Sequence, residues 1–299
     1  MKVLSLFDWI SCARLALERA GIVVDSYYSC EIDKYANQVS INNYPDITQV
    51  GSVVWYNHTG EVDLLIWWSP CQDLSIAKKD RKGLDGDRSW LFWEYVRILK
   101  ELKPKYFILE NVNSMPKEAK AIITEALGVE PIMINASLVS AQNRKRLFWT
   151  NIPNVTLPED RGILLKDILE QEVDEKYNVN ADFIKIENPK WSRIWYIWKW
   201  GQWDRIYGKF HQSNTVYGIS DKSVTLSALG GGRWAKTGLY ALDTQIRKLT
   251  PTECERLQWV PDWYTEWASN SQRYKMLGNA FNVDVVAHIM KNMVLSQTN

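Results

Sequence analysis

The chain contains few of the residues that build disulfide scaffolds or zinc sites. Only 4 of its 299 residues are cysteine and 3 are histidine. The cysteines (Cys12, Cys30, Cys71 and Cys254) are scattered, with no C-x-x-C pair and no histidine cluster. This spacing argues against a disulfide framework and against a metal site, and it is typical of a protein of the reducing cytoplasm.

Long apolar runs are also lacking. No run approaches the roughly 20 residues that a membrane-spanning helix needs. Met1 leads directly into a predicted strand, so no signal peptide is visible. We therefore expect a cytoplasmic protein without a membrane partner. The net charge of +1 excludes neither nucleic acid nor other ligands, because a DNA-binding surface can be a local patch.

Glycine is the third residue type in short supply. The chain has 15 glycines and 16 tryptophans, although glycine is normally among the commonest residues and tryptophan is not. Glycine serves tight turns and close approaches of the backbone to ligands. The imbalance therefore bears on any site that the chain forms.

Apolar strands and amphipathic helices alternate through the first half of the chain. This pattern predicts an α/β fold with a doubly wound, mostly parallel sheet. The predicted strands are residues 3–7, 23–32, 48–50, 62–66, 106–109, 132–138 and 147–150. The predicted helices are residues 12–20, 34–42, 90–102, 117–127, 252–258 and 282–295, with Ser11 as the N-cap of the first.

The alternation stops near residue 151. Residues 151–246 contain few long periodic segments, and ordinary globular character returns after Arg247. We predict one large domain from residues 1–150 and 247–299, and a small irregular domain from residues 151–246.

Polar residues follow the predicted strands at several points. Cys71 comes after the strand 62–66, and Glu110 after the strand 106–109. Ligands of open α/β sheets bind at the carboxyl ends of the strands. Glu31 lies at the end of the strand 23–32, which is the usual place for a carboxylate that binds ribose hydroxyls. Taken alone, Cys71 is compatible with a small buried thiol as well as with a nucleophile.

Five motifs then occur in a fixed order. They are Ser-Pro-Cys-Gln (69–72), Glu-Asn-Val (110–112), Gln-x-Arg-x-Arg (142–146), Arg-x-Leu-Thr-Pro-x-Glu-x-x-Arg-Leu-Gln (247–258) and Gly-Asn-Ala (278–280). The series resembles the DNA cytosine-5 methyltransferase family over most of the chain except residues 151–245. The resemblance implies a Rossmann-like methyltransferase fold and S-adenosyl-L-methionine as cofactor. It also implies that residues 151–246 form a target-recognition domain.

The resemblance implies a catalytic set of four residues. Cys71 attacks C6 of a cytosine that has been flipped out of the duplex, and C5 then becomes able to accept a methyl group. Protonated Glu110 hydrogen-bonds N3 of the ring. Arg144 and Arg146 hold the base carbonyl and support the loop.

The resemblance also implies cofactor and DNA contacts. The cofactor-binding residues are Phe7, Asp8, Trp9, Ile10, Ser11, Cys12, Glu31, Ile32, Pro70, Leu91, Asn279 and Ala280. The DNA-binding residues are Gln72, Ser75, Lys78, Lys79, Arg81 and Lys82. For the charged residues of this loop, a solvated surface fits the sequence as well as phosphate contact. The expected partner is double-stranded DNA, and a cognate restriction endonuclease is a further candidate. The sequence does not specify the oligomeric state and is compatible with a monomer.

Tryptophan stands where the family has glycine. Such tryptophans are Trp9, Trp67, Trp68, Trp90 and Trp259, whereas Trp93 and Trp149 occupy positions that suit an aromatic residue. We hypothesise that UGA codons of the source, which specify glycine there, have been read as tryptophan. The competing hypothesis is a decayed, inactive DNA-binding homologue with genuine tryptophans.

A third function is a tRNA cytosine-5 methyltransferase. That branch carries a Cys-Phe-Thr signature in its variable region. No cysteine lies between Cys71 and Cys254, so we rank this function below the other two.

Overall fold

The computed structural model describes residues 1–68, 91–179, 183–187, 194–198, 215–228, 237–242 and 245–295. These residues form two compact units. The first contains Met1–Asn135, Lys145–Pro158 and Ala280–Asn299, and the second contains Ala136–Arg144 and Glu159–Asn279. The division into a catalytic domain and a target-recognition domain remains a prediction about function.

Strands and helices follow one another along the chain in the order expected of an α/β fold. The strands are β1 (Lys2–Leu6), β2 (Ser26–Cys30), β3 (Thr48–Gln49), β4 (Leu64–Trp68), β5 (Tyr106–Val112), β6 (Ile132–Asn135), β7 (Lys145–Thr150), β8 (Phe183–Glu187), β9 (Ile194–Trp198), β10 (Thr215–Gly218), β11 (Leu239–Leu242) and β12 (Gln245–Arg247). The helices are α1 (Cys12–Arg19), α2 (Lys34–Asn43), α3 (Leu91–Leu102), α4 (Lys117–Leu127), α5 (Pro251–Gln258), α6 (Asn270–Asn279) and α7 (Val283–Leu295).

The first unit is built on a seven-stranded sheet. Its strand order is β3-β2-β1-β4-β5-β7-β6, with β7 antiparallel to both of its neighbours and the other pairs parallel. The predicted α/β class and mostly parallel sheet are confirmed. The sheet is mixed rather than wholly parallel because β7 returns beside β5 in the opposite direction.

The middle strands are buried along their whole length. Every residue of β4 and β5 is buried, as expected of parallel strands that are covered on both faces. Tyr95 of α3 and Trp149 of β7 belong to the same core cluster as Leu65. At the edge of this unit α7 packs on α1, where Arg19 donates to Asp284 at 2.6 Å.

The second unit has a five-stranded sheet in the order β12-β11-β10-β9-β8. Its strands pair antiparallel except for β10 and β11, which are parallel. Helix α5 begins with a capping box in which the Thr250 hydroxyl accepts from Glu253 N and the Glu253 carboxylate accepts from Thr250 N. Among the described residues no helix is long and apolar enough to cross a membrane.

Three local predictions were wrong. The predicted strand 132–138 ends at Asn135 and continues as a 3-10 turn, Ala136–Leu138. Helix α6 was not predicted, because its sequence is mostly polar. Ser11 occupies the N-cap position of α1 as predicted, but its side chain does not cap the helix: the residue has φ 56°, in the left-handed region, and its hydroxyl donates to Asp8.

Candidate active site and cofactor loop

The candidate cofactor site lies where the strand order reverses. Strand β1 pairs with β2 on one side and with β4 on the other, so the chain winds outward in both directions from β1. Ligands of open α/β sheets bind at this switch point, at the carboxyl ends of the strands. The loop of residues 7–11, which we call the cofactor loop, leaves β1 at that position.

The cofactor loop has an unusual backbone. Phe7, Trp9 and Ser11 have φ values of 57°, 51° and 56°. Residues other than glycine adopt this left-handed region rarely, at a cost of roughly 1–2 kcal/mol each. The alternation of strained and ordinary residues turns the chain sharply between β1 and α1, and the surrounding contacts must hold it in that shape.

Asp8 is the centre of those contacts. Its carboxylate is 1% exposed and accepts hydrogen bonds from the hydroxyls of Ser5 at 2.5 Å, Tyr27 at 2.6 Å and Ser11 at 2.7 Å. Burial raises the pKa of Asp8, and these hydroxyls oppose the rise. Ser11 Oγ also lies 2.8 Å from Ser40 Oγ, which donates to Trp9 O. The side chain of Asp8 therefore faces into the first unit and fixes the loop.

Glu31 connects the ends of β1 and β2. One carboxylate oxygen accepts from Trp9 N at 3.0 Å, and the other accepts from the main-chain N–H groups of Ile32 and Asp33 at 2.8 Å each. Glu31 is 7% exposed, and burial raises its pKa. Ile32, directly after it, is 78% exposed. The exposed apolar side chain of Ile32 therefore follows the Glu31 carboxylate directly, at the carboxyl end of β2.

The other predicted cofactor residues have varied surroundings. Ile10 and Cys12 are buried in the first unit, at 0% and 1% exposure. Leu91 is the first residue of α3 and packs partly buried against the core of that unit. Asn279 is the last residue of α6 in the second unit, and Ala280 is the buried residue that follows it.

Glu110 and Arg146 form the charged pair of the candidate catalytic site. Arg146 Nε lies 2.6 Å from Glu110 Oε1. Glu110 pairs with Phe148 across the β5–β7 ladder, and Arg146 is two residues before Phe148. Residues two apart along a strand point to the same face, so the long Arg146 side chain reaches Glu110 diagonally. Both side chains are largely buried.

The register of the sheet relates Glu110 to the motif that contains the candidate nucleophile. Trp68, the last residue of β4, is the partner of Glu110 in the parallel β4–β5 ladder. Cys71 follows Trp68 by three residues in the sequence. The predicted site residues that lie outside the described part of the chain are Pro70, Cys71, Gln72, Ser75, Lys78, Lys79, Arg81 and Lys82.

Arg144 has main-chain partners inside the second unit. Its guanidinium donates to Leu226 O at 3.2 Å and to Gly278 O at 2.9 Å, and the side chain is 3% exposed. It therefore connects two segments that are far apart in sequence. In the first unit, Arg146 is the arginine of the same motif that contacts Glu110.

The motif of residues 247–258 has a structural basis in a buried ion pair. Arg247 donates through both terminal nitrogens to the carboxylate of Glu253, at 2.7 and 2.6 Å. The two side chains are 1% and 0% exposed. Glu253 also accepts from Glu170 N at 2.9 Å, so the pair connects α5 to the chain before β8.

Sequence reasoning missed two further positions. Gln142 accepts from Leu226 N at 3.0 Å and donates to Leu257 O at 3.3 Å. A Cβ at Gly278 would lie 2.2 Å from the carbonyl carbon of Ser227, so no larger residue fits. Both lie within motifs already noted, but only the packing inside the second unit reveals their roles.

The fold is that of an α/β enzyme, with a left-handed loop at the switch point of the sheet and an acid–arginine pair on β5 and β7. A family model for C-5 cytosine-specific DNA methylase matches residues 1–295. The type II methyltransferase M.HhaI of Haemophilus parahaemolyticus is 32% identical over 324 residues, covering 98% of this chain and 94% of that protein. The type II methyltransferase M.NlaX of Neisseria lactamica is 28% identical over 314 residues, covering 98% and 96%.

Solved structures agree in fold. The Entamoeba histolytica methyltransferase EhMeth has a TM-score of 0.74 at 17% identity, covering 100% of this chain and 99% of that one. At this identity the likeness shows the fold alone. Given the family match over nearly the whole length and the 32% identical relative, the chain belongs to the C-5 cytosine-specific DNA methylase family, whose members depend on S-adenosyl-L-methionine.

Proposed function

We propose that this protein methylates C5 of cytosine within a specific sequence of double-stranded DNA, through a covalent bond between Cys71 and C6 of a flipped base. The observation that carries the proposal is the Glu110–Arg146 pair, with an N–O distance of 2.6 Å, in register with the strand end that precedes Cys71. A nucleophile, an acid and a cation at neighbouring strand ends are the groups that this chemistry requires.

The residues divide the work as follows. Cytosine C5 is a poor nucleophile, and addition of the Cys71 thiolate to C6 moves electron density onto C5 and N3. Glu110 shares a proton with N3 and so stabilises the charge that builds on the ring. After C5 has accepted a methyl group, loss of the C5 proton to a base and elimination of the Cys71 thiolate from C6 restore the aromatic ring. The base must leave the duplex first, since C6 is stacked inside it.

The arginines take different parts in this proposal. Arg146 holds Glu110 in place through their ion pair, and we assign it the contact to the base carbonyl. The contacts of Arg144 with Leu226 O and Gly278 O favour a positioning role inside the second unit. We therefore expect loss of Arg146 to lower the rate of the chemical step, and loss of Arg144 to lower stability as well.

The first unit offers a fitting site for S-adenosyl-L-methionine. Glu31 can bind ribose hydroxyls and the exposed Ile32 can cover an adenine ring. The main-chain groups of the cofactor loop, followed by the N-terminus of α1, face the same strand end. When bound, the cofactor supplies an electrophilic methyl group. Asn279 and Ala280 remain proposed cofactor-binding residues.

A methyl-transfer assay on cytosine-containing duplex DNA tests the proposal. Glu110→Gln keeps the size of the side chain but loses the acid and the ion pair, so the rate of methylation should fall by about 10²–10⁴-fold. Glu118→Gln is the matched control, because Glu118 is an exposed residue of α4. Equal activities of the two variants would refute a catalytic role for Glu110.

An inactive DNA-binding homologue is the second candidate. Trp67 and Trp68 are 1% and 3% exposed, and neither indole N–H has a hydrogen-bond partner among the described residues. If both tryptophans are genuine, the cost of these two buried, unpaired N–H groups at the end of β4 favours the inactive homologue. DNA binding without any binding of S-adenosyl-L-methionine in a titration would support it.

A cognate restriction endonuclease remains a candidate partner. We propose this partner because two of the relatives are type II methyltransferases. Residues 151–246 remain the proposed target-recognition domain.

A further inference from the structure

We propose that Trp9, Trp55, Trp259 and Trp263 stand at glycine positions, and that their codons specify glycine in the organism from which the gene comes. The inference extends the set of suspect tryptophans to two residues, Trp55 and Trp263, that the motifs do not mark. It also rests on a different observation, the backbone conformation. Its consequence for cofactor binding rests on the proposed function.

Backbone conformation separates these four tryptophans from the other tryptophans in the described part of the chain. Among the described residues, eight residues other than glycine have positive φ, and four of them are Trp9, Trp55, Trp259 and Trp263, at 51°, 58°, 58° and 67°. Positive φ is a genuine outlier for a bulky residue and ordinary for glycine. Six glycines of the described chain adopt the same region, so the fold uses glycine for this purpose elsewhere.

At Trp259 the position of the residue at the end of α5 favours glycine as the original residue. This residue is the C-cap of the helix, with φ 58° and ψ 37°, and its N–H donates back to Glu255 O and Arg256 O. Helices commonly end on a left-handed residue that is usually glycine. Helix α4 ends on Gly128 with φ 69° in the same way.

At Trp55 and Trp263 the exposure of the side chain favours glycine as the original residue. The two side chains are 84% and 56% exposed, so burial of the indole does not compensate for the strained backbone. In the cofactor loop, the N–H and C=O of Trp9 bond Glu31 and Ser40. Its left-handed conformation is therefore fixed by main-chain contacts that glycine can make without strain.

Trp149 and Trp93 lie in surroundings that suit a tryptophan side chain. Trp149 is fully buried, and its Nε1 donates to Thr124 Oγ1 at 2.9 Å. Trp93 lies half-exposed on α3. UGA specifies glycine in one genetic code and tryptophan in another, so reading the gene with the wrong code converts glycines alone and leaves genuine UGG tryptophans in place.

The codons decide the origin of the four residues. We expect UGA at positions 9, 55, 259 and 263, UGG at positions 93 and 149, and glycine at the four positions in the mass spectra of peptides from the source organism. UGG at the four positions would overturn the proposal.

Thermal unfolding of the chain as printed tests the strain independently of any ligand. Trp55→Gly and Trp263→Gly should each raise Tm by about 2–4 °C, because glycine adopts the left-handed region freely. Trp267→Gly is the matched control: Trp267 is 64% exposed but is not among the residues with positive φ. Its substitution should leave Tm unchanged or lower it. Equal effects at Trp55, Trp263 and Trp267 would contradict the strain argument.

Binding of S-adenosyl-L-methionine separates this inference from the proposed function. Trp9→Gly should tighten binding at least tenfold in a calorimetric titration, because the ligand can then approach the loop backbone. If Tm rises at Trp55 and Trp263 while no variant binds the cofactor, the glycine assignment stands and the proposed cofactor site is wrong.

A second control for the unfolding experiment is Trp149→Gly. It should lower Tm by on the order of 10 °C, which would show that replacing tryptophan by glycine does not raise Tm in general.

Discussion

Asp8 provides the sharpest test of how the cofactor loop is held. Three hydroxyls donate to its carboxylate at 2.5–2.7 Å in a site that is 1% exposed. Hydrogen bonds to a charged group contribute about 1.5–3 kcal/mol each, and the desolvation of the buried charge offsets part of that sum. We expect Asp8→Ala to lower the free energy of unfolding by about 3 kcal/mol, a large share of a typical stability of 5–15 kcal/mol.

Asp8→Asn is the matched comparison. Its carbonyl oxygen can replace the Oδ1 that accepts from Ser5 and Tyr27, and Ser11 keeps Ser40 Oγ at 2.8 Å. The cost should therefore be about 1 kcal/mol or less. Urea unfolding at neutral pH measures both variants. If asparagine costs as much as alanine, the charge of Asp8 matters rather than its acceptor geometry, and the reasoning is refuted.

The pH dependence follows from the same site. Because burial raises the pKa of Asp8, the folded protein takes up a proton more readily than the unfolded chain. The extra stability that protonation of Asp8 gives to the folded protein is fully present below the ordinary carboxyl pKa and is lost as the pH rises through the raised value. Asp8→Asn should therefore show a flatter stability profile over that window, measured as the urea midpoint at several pH values. Identical slopes would contradict the assignment.

Two further predictions concern the second unit. Gly278→Ala should lower stability by several kcal/mol or prevent folding, because its Cβ would lie 2.2 Å from a main-chain carbon of Ser227, and circular dichroism with thermal unfolding measures the loss. Arg247→Met should cost about 3–5 kcal/mol in urea unfolding, since it leaves Glu253 buried without its cation. The double variant with Glu253→Gln should recover part of that loss, because glutamine removes the buried charge and keeps a carbonyl acceptor for the main-chain N–H groups that Glu253 binds. A double variant as unstable as Arg247→Met would show that the ion pair is not the cause.

Local signals in the sequence predicted much of the first unit. Helix α4 was predicted at its observed bounds, because its apolar periodicity ends at a glycine that adopts φ 69°. The buried strands β4 and β5 were predicted from continuous apolar runs, although β4 lies two residues further along the chain than predicted and β5 extends three residues further. The antiparallel return of β7 was not predicted, because strand direction depends on pairing with β5 and leaves no local trace in residues 145–150.

The candidate site was predicted unevenly for similar reasons. Glu110 and Arg146 were named from motifs, and the structure brings them within 2.6 Å. The motif Gln-x-Arg-x-Arg treats its two arginines alike, yet Arg144 and Arg146 have partners in different units, because a chain crossing between units separates them. The inward-facing role of the Asp8 side chain depends on Tyr27, a residue of another strand, and so was not visible from the loop sequence.

Covalent trapping on DNA tests the central claim most directly. The chain is synthesised with glycine at every position whose source codon is UGA, and is incubated with S-adenosyl-L-methionine and duplex DNA that contains 5-fluorocytosine at the recognised position. Fluorine at C5 cannot leave as a proton does, so the bond to Cys71 should persist as an adduct on a denaturing gel. The account predicts this adduct for the protein and none for Cys71→Ala. An adduct that survives Cys71→Ala, or its absence from the protein with Cys71 intact, would contradict it.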